Sequence, residues 1–193
     1  CAVRAVRRSA LGSGDVAIIY GLGTVGMLLA RSVVARGAHP IGVDVLPQRV
    51  DWALSHGVMA CLATETDVAE RVRERTEGRG ADVAFITAGS SLAMSGALGL
   101  LRPGGSVHIF AASPVQVTAL DVGALYSREQ TLTATYSSSP ADLRAAFDLL
   151  ARGIASVEGF ISHRLPLESF TEGVKLFADH SARKVYFEIG PDA

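Results

Sequence analysis

Three glycines, Gly21, Gly23 and Gly26, and one acid, Asp44, are the residues whose types and spacing could do recognisable chemistry. The stretch VAIIYGLGTVGMLLA, residues 16 to 30, is an apolar run, a G-x-G-x-x-G loop and a second apolar run at a different period. In such a loop the first glycine makes the tight strand-to-helix turn. The second lacks a Cβ, so a pyrophosphate can approach the backbone, and the third lets helix and strand pack closely. The helix that follows aims backbone N–H groups and the positive end of its dipole at the phosphates, with Thr24 and Val25 as the expected donors. Asp44 follows the loop by the roughly 20 residues at which a carboxylate accepts hydrogen bonds from the adenosine ribose. A carboxylate there repels a 2′-phosphate, which favours NAD over NADP, although the nearby Arg49 leaves room for some NADP. Two plainer readings stand beside this one: the glycines can serve packing alone, and Asp44 can be a solvated loop acid.

A group to handle the proton of a reacting alcohol is harder to find. His39 and His56 flank the second strand–helix unit, His108 sits inside a strand, and His163 and His180 lie near the end of the chain. None stands at metal-ligand spacing from a cysteine, and each reads as a surface or satisfied structural histidine. Tyr126 has no lysine one helical turn on. The residues therefore nominate no catalytic group and no metal ligand.

The elements that must position the glycines follow from hydrophobic period. Short β-rich runs, DVAIIYG, HPIGVDV, VMACL and ADVAFITAG, alternate with helical segments at 24–37, 47–56, 65–76 and 91–101. After a turn at LRPGG come SVHIFAAS (106–113) and TLTATYS (131–137). Six runs alternating with helices predict a parallel sheet covered on both faces, and continuously apolar VAIIY and VAFIT fit its centre. In the first helix Val25, Leu28, Leu29 and Val33 share the face expected to pack on the sheet. Ser139 and Pro140 start a later helix with Leu143, Ala146, Phe147 and Leu150 as its apolar face, and Gly153 ends it. ISHRLPL, a helix marked by Phe170, Val174 and Phe177, and a last strand KVYFEIG read as an appendage. The expected division is a dinucleotide-binding domain over 1–155 and the appendage over 156–193.

With 193 residues, 49% of them hydrophobic, and a net charge of −1, the chain suits a globular domain that needs no disulfide staple. That balance argues against nucleic acid as a partner, and Arg4, Arg7 and Arg8 read as a solvated face. Cys1 and Cys61 cannot make a framework of bridges, and Cys61 in VMACL is expected to be a buried thiol, which favours a cytoplasmic setting. No apolar run reaches the roughly 18 residues of a membrane span, so no membrane partner is expected.

Taken together, CAVRAVRRSALGSGDVAIIYGLGTVGMLLA, GADVAFITAG, LRPGG, TATYSSSPADLRAAFDLLARG and the segment from ISHRLPLESFTEGVKLF to KVYFEIG resemble the zinc-dependent medium-chain dehydrogenase/reductases, especially the sorbitol and threonine dehydrogenase branch. The resemblance implies an α/β fold, a Rossmann doubly wound six-stranded parallel sheet, with a short C-terminal appendage belonging to a GroES-like catalytic domain. It places Gly21, Leu22, Gly23, Thr24, Val25 and Gly26 at the pyrophosphate and Asp44, Val45 and Arg49 beside the adenosine ribose. Thr87, Ala88, Gly89, Phe110, Ala111 and Ala112 then lie along the nicotinamide side. It implies NAD as cofactor, an alcohol or polyol as the full-length parent's substrate, and zinc ligands that lie before Cys1, itself a non-ligand position. On that basis this chain alone is expected to be inactive. The resemblance also implies a homo-oligomer, with the edge strand at 131–137 pairing across a dimer and unpaired strand edges promoting association. The alternative is a naturally truncated, non-catalytic nucleotide-binding or assembly protein.

Overall fold

The apolar runs VAIIY and ADVAFI form β1 (Val16–Tyr20) and β4 (Ala81–Ile86), and every residue of both is buried. Burial on both faces is the condition of central strands in a parallel sheet. The computed structural model, which describes residues 1–63, 67–88, 91–111 and 120–190, places these two strands side by side. β2 (His39–Asp44) and β3 (Met59–Leu62) extend the sheet beyond β1, while β5 (Leu101–Ile109) and β6 (Thr131–Ala134) extend it beyond β4. All five pairings are parallel and the order is β3-β2-β1-β4-β5-β6, the doubly wound Rossmann sheet expected from the sequence. The connecting helices are α2 (Thr24–Ala35), α3 (Pro47–Ser55), α4 (Asp67–Arg75), α5 (Ser91–Leu100) and α6 (Val122–Ser127). This sheet lies in the first of two compact units, Cys1–Ala155, which also holds α1 (Ala2–Arg8) and α7 (Pro140–Ala151).

Alternate residues along each strand serve opposite faces. Ile18, Tyr20, Ile41, Val43, Ala84, Ile86 and Val107 join Val68 and Val72 of α4 and Met94 and Ala97 of α5 in one core cluster. Ala17, Ile19, Val83 and Phe85, all at most 3% exposed, turn to the other face. There α2 buries Gly26, Met27, Leu29, Ala30 and Val33. The expected face of α2 is thus corrected, because Val25 is 42% exposed. Gly26 must sit against the turn, so the packed stripe runs from Gly26 through Ala30 to Val33, and the residue before Gly26 is rotated out toward the loop.

Three further expectations change. LRPGG is no turn before a strand: β5 already pairs at Leu101 with Ala81, and the register then shifts so that Val83 meets Ser106. The extra residues interrupt the ladder within the strand, with Gly104 at φ +72°. The apolar side of α7 is largely uncovered, with Leu143 59% and Phe147 69% exposed. The capping box of Ser139 and Asp142 does form, but Asp142 also takes Arg7 at 2.9 Å and Arg4 at 3.6 Å, so two of the three early arginines tie α1 to α7 and do not form a purely solvated face. Hydrogen bonds from the Ser139 side chain and backbone hold the Asp142 carboxyl below its ordinary range. Cys61 is buried, as expected.

Two buried polar residues serve the sheet. Asp82, 4% exposed at the amino end of β4, accepts from the Val16 N–H (2.8 Å), Arg79 (2.5 Å) and Arg102 (2.7 Å). Burial alone would raise its pKa, but these hydrogen bonds prevail and bring it to about 2. His108 in β5 is 1% exposed, tilts against Phe85 at 5.4 Å, and its buried Nδ1 meets no hydrogen-bond partner among the described residues. Burial and then the Arg8 charge push its pKa down to about 4.

The second unit, Ser156–Ala193, pairs β7 (His163–Pro166) in parallel with β8 (Val185–Glu188), joined through a 3-10 turn and α8 (Phe170–Ala178). Gly173 lets α8 close on the pair, since a Cβ there would collide with the Phe187 ring, and Phe170 stacks at an angle on Phe187 at 5.3 Å. Phe170, Val174 and Phe177 mark the helix as expected, yet each is between 48% and 62% exposed. Among the described residues no helix is long and apolar enough to cross a membrane.

Candidate functional site

The strand order reverses between β1 and β4, and doubly wound sheets bind ligands beyond the carboxyl ends of the strands at such a point. The glycine loop lies there, and its three glycines do different work. Gly21 has φ +98°, and a Cβ on it would collide with Thr87 Oγ1 and lie 3.3 Å from Ala88. Gly26 faces the turn itself: a Cβ on it would fall well inside van der Waals contact with the Gly21 carbonyl oxygen. Around Gly23 a Cβ would meet nothing within 4 Å. The second glycine therefore borders open space, while the first and third are required by the protein's own packing.

Gly23 is also the N-cap of α2 and offers no side-chain oxygen to the first-turn N–H groups, and no acidic residue stands in that turn. The helix thus presents its positive end at the open side of the loop, an arrangement suited to phosphate. Thr24 and Val25 begin α2 there, as expected.

Both neighbouring strands hold the loop. From β2, the Gly21 N–H donates to the Val43 carbonyl at 2.7 Å and the Leu22 N–H to Asp44 Oδ2 at 2.6 Å. From β4, the Thr87 N–H donates to the Tyr20 carbonyl at 2.9 Å, and the Thr87 hydroxyl lies 2.9 Å from that carbonyl and 3.0 Å from that of Gly21. Thr87 is thereby a clamp under the loop, a role its sequence position alone does not reveal.

Asp44 is more embedded than a ribose acceptor at a strand end would suggest. It is 4% exposed, and besides Leu22 it accepts the Leu46 N–H at 3.0 Å and faces Arg49 at 3.4 Å. Val45, 66% exposed, follows it at the mouth. Phe110, whose N–H donates to the Ile86 carbonyl at 2.9 Å, and Ala111 continue β5 beside Thr87 and Ala88 at the same sheet edge. The structure thus gathers Gly21 through Gly26, Asp44, Val45, Arg49, Thr87, Ala88, Phe110 and Ala111 along one edge. Gly89 and Ala112 lie outside the described residues.

Two surface depressions lie elsewhere. One, of about 1040 Å³, is bordered by Arg102, Tyr126 and Arg128; the other, of about 450 Å³, by Val34, His39, Met59 and Arg75. Both sit at the amino ends of the strands and include no residue of the loop. Among the described residues no three His, Cys, Asp or Glu side chains come together as metal ligands.

Comparison with known proteins agrees with this geometry. Residues 21–152 match the family profile described as zinc-binding dehydrogenase. The chain is 29% identical to the D-arabitol-phosphate dehydrogenase of Enterococcus avium, an alignment that covers 100% of this chain and 56% of that protein. It is 26% identical to the sorbitol dehydrogenase of Halalkalibacterium halodurans over 96% of this chain and 55% of that one. Among solved structures, the alcohol dehydrogenase TADH from Thermus sp. ATN1 superposes with a TM-score of 0.91 at 27% identity, covering 98% of this chain and 55% of that chain. The chain spans about half the length of the curated relatives it matches.

Proposed function

The chain belongs to the zinc-binding dehydrogenase family, and from that premise we propose that its glycine-loop edge binds NAD in preference to NADP, within a protein that transfers hydride between a secondary alcohol or polyol and that cofactor. The observation that carries the reading is the loop itself: open space above Gly23, the positive end of α2 aimed into it, and Asp44 hydrogen-bonded to the Leu22 N–H beside it. These features fit a dinucleotide. The nicotinamide, when bound, supplies the hydride-accepting carbon.

The chain's own residues do the holding. First-turn N–H groups of α2 meet the pyrophosphate, the carboxylate of Asp44 meets the adenosine ribose, and Thr87, Ala88, Phe110 and Ala111 flank the nicotinamide side. The described residues do not assemble a zinc site. Preference for NAD rests on Asp44, which places a negative charge where NADP would bring another, and on Arg49, whose charge is turned to that carboxylate at 3.4 Å.

Titrating the fluorescence of Trp52, which lies in α3 just after Asp44, with NADH is expected to show saturable binding, with NADPH binding more weakly. Asp44→Ala is expected to weaken NADH at least roughly ten-fold, because it removes both the ribose acceptor and the grip on the Leu22 N–H, and to narrow the gap to NADPH. Unchanged affinity for both would remove Asp44 from the site.

Self-association belongs to the same proposal. β6 is an edge strand with Thr131, Leu132 and Ala134 exposed, and unpaired edges favour pairing with a second copy. Light scattering is expected to show a dimer or larger species, and a monomer across a wide concentration range would contradict it.

A further inference from the structure

Leu22 is fully buried although it stands between the first two glycines of the loop. Its N–H is held by Asp44, and its side chain fills the space above Gly42, in the middle of β2. A Cβ on Gly42 would lie 2.5 Å from Leu22 Cδ2, 3.0 Å from Cδ1 and 3.3 Å from Cγ. Gly42 pairs in ordinary register with Ile19 and Ala60, and glycine weakens a strand interior unless something must approach the backbone closely. What approaches is Leu22.

We infer that Gly42 is a positioning residue for dinucleotide binding: by receiving the Leu22 side chain it sets the height of the phosphate loop over the sheet. This rests on the dinucleotide reading above. Asp44 and Gly42, two residues apart on β2, then fix Leu22 by backbone and by side chain, and the direction of Gly23 and of the first turn of α2 follows from that grip. A methyl group on Gly42 would push Leu22 outward and carry the loop with it, since Leu22 has no solvent to rotate into.

The test uses Gly42→Ala, Leu22→Ala and the double variant in the full chain, with NAD affinity by calorimetry and melting by circular dichroism. Gly42→Ala is expected to bind NAD roughly ten-fold more weakly, the scale of an overpacked core position, while melting cooperatively. The double variant, which vacates the space the new methyl enters, is expected to bind more tightly than Gly42→Ala alone. General loosening of the fold would give no such rescue. Affinity of Gly42→Ala within about two-fold of wild type, or a double variant that binds no better than Gly42→Ala, overturns the inference. Hydrogen exchange at the Leu22 amide separates the two readings without ligand. If the wild-type chain binds no NAD, the dinucleotide reading fails, and slow exchange at Leu22 that quickens in Gly42→Ala still supports the lock. Fast exchange in the wild-type chain overturns it, even if Gly42→Ala fails to fold.

Discussion

Gly23→Ala is expected to lower the melting temperature only slightly and to remove most of the affinity for NAD, whereas Gly26→Ala is expected to unfold or strongly destabilise the chain. The contrast comes from what each methyl group would meet. At Gly23 it meets nothing within 4 Å among the described residues, and φ −67° with ψ −171° is backbone that alanine adopts readily, so the loss is confined to alanine being a poorer N-cap, about 1 kcal/mol. The same methyl would stand in the volume assigned to the pyrophosphate, and roughly a 10–100-fold loss of affinity is expected. At Gly26 the obstacle is the Gly21 carbonyl oxygen, a backbone atom of the turn that cannot rotate away. A cost of about 3 kcal/mol or more follows, read in a urea or thermal melt. If Gly23→Ala binds NAD like wild type, the open space above the loop is not the cofactor's place.

Acid should destabilise the chain in two separate steps. His108 has a folded pKa of about 4 against an ordinary 6.5, so the unfolded chain takes up a proton that the folded chain refuses. Its contribution is complete above pH 6.5 and is lost as the pH falls toward 4, roughly 3 kcal/mol in all. Asp82, with a folded pKa of about 2 against 3.8, acts in the next window. Its contribution is present above pH 3.8 and fades as the pH falls toward 2, about 2 kcal/mol. Urea midpoints measured across pH 7.5 to 3 are expected to fall in both ranges. His108→Leu should flatten the upper range and raise stability at pH 5, because it removes the buried ring that the unfolded chain protonates there. Asp82→Ala should flatten the lower range and lower stability at pH 7 by about 3 kcal/mol, since it strands the Val16 N–H and two arginines. A pH profile of His108→Leu parallel to wild type would show that this ring does not govern the upper step.

The glycine loop was legible in the sequence because its meaning depends on atoms that are missing, and a missing Cβ is visible in one letter. Asp44 was legible by spacing, but its depth was not: only the fold shows its carboxylate already engaged by Leu22, Leu46 and Arg49. The α2 face was misjudged at Val25 because period alone cannot choose between two adjacent stripes, and the choice is made by the contact of Gly26 with the turn. LRPGG has the letters of a turn, yet the pairing of Leu101 with Ala81 places it within a strand. Asp82 gave no signal, since its partners include the Val16 N–H, 66 residues away in sequence. Gly42 gave none either, because its neighbour Leu22 lies on another element.

β1 is only five residues long, and its first residue is anchored by Asp82 while the turn beyond its last begins the phosphate loop. At about 3.3 Å per residue the two ends are some 16 Å apart, beyond the roughly 7–10 Å within which substitutions usually interact. Endurance in acid and the proposed grip on the cofactor are therefore independent traits of one strand. Selection, natural or in the laboratory, can harden the Asp82 end without retuning the end that carries the glycine loop.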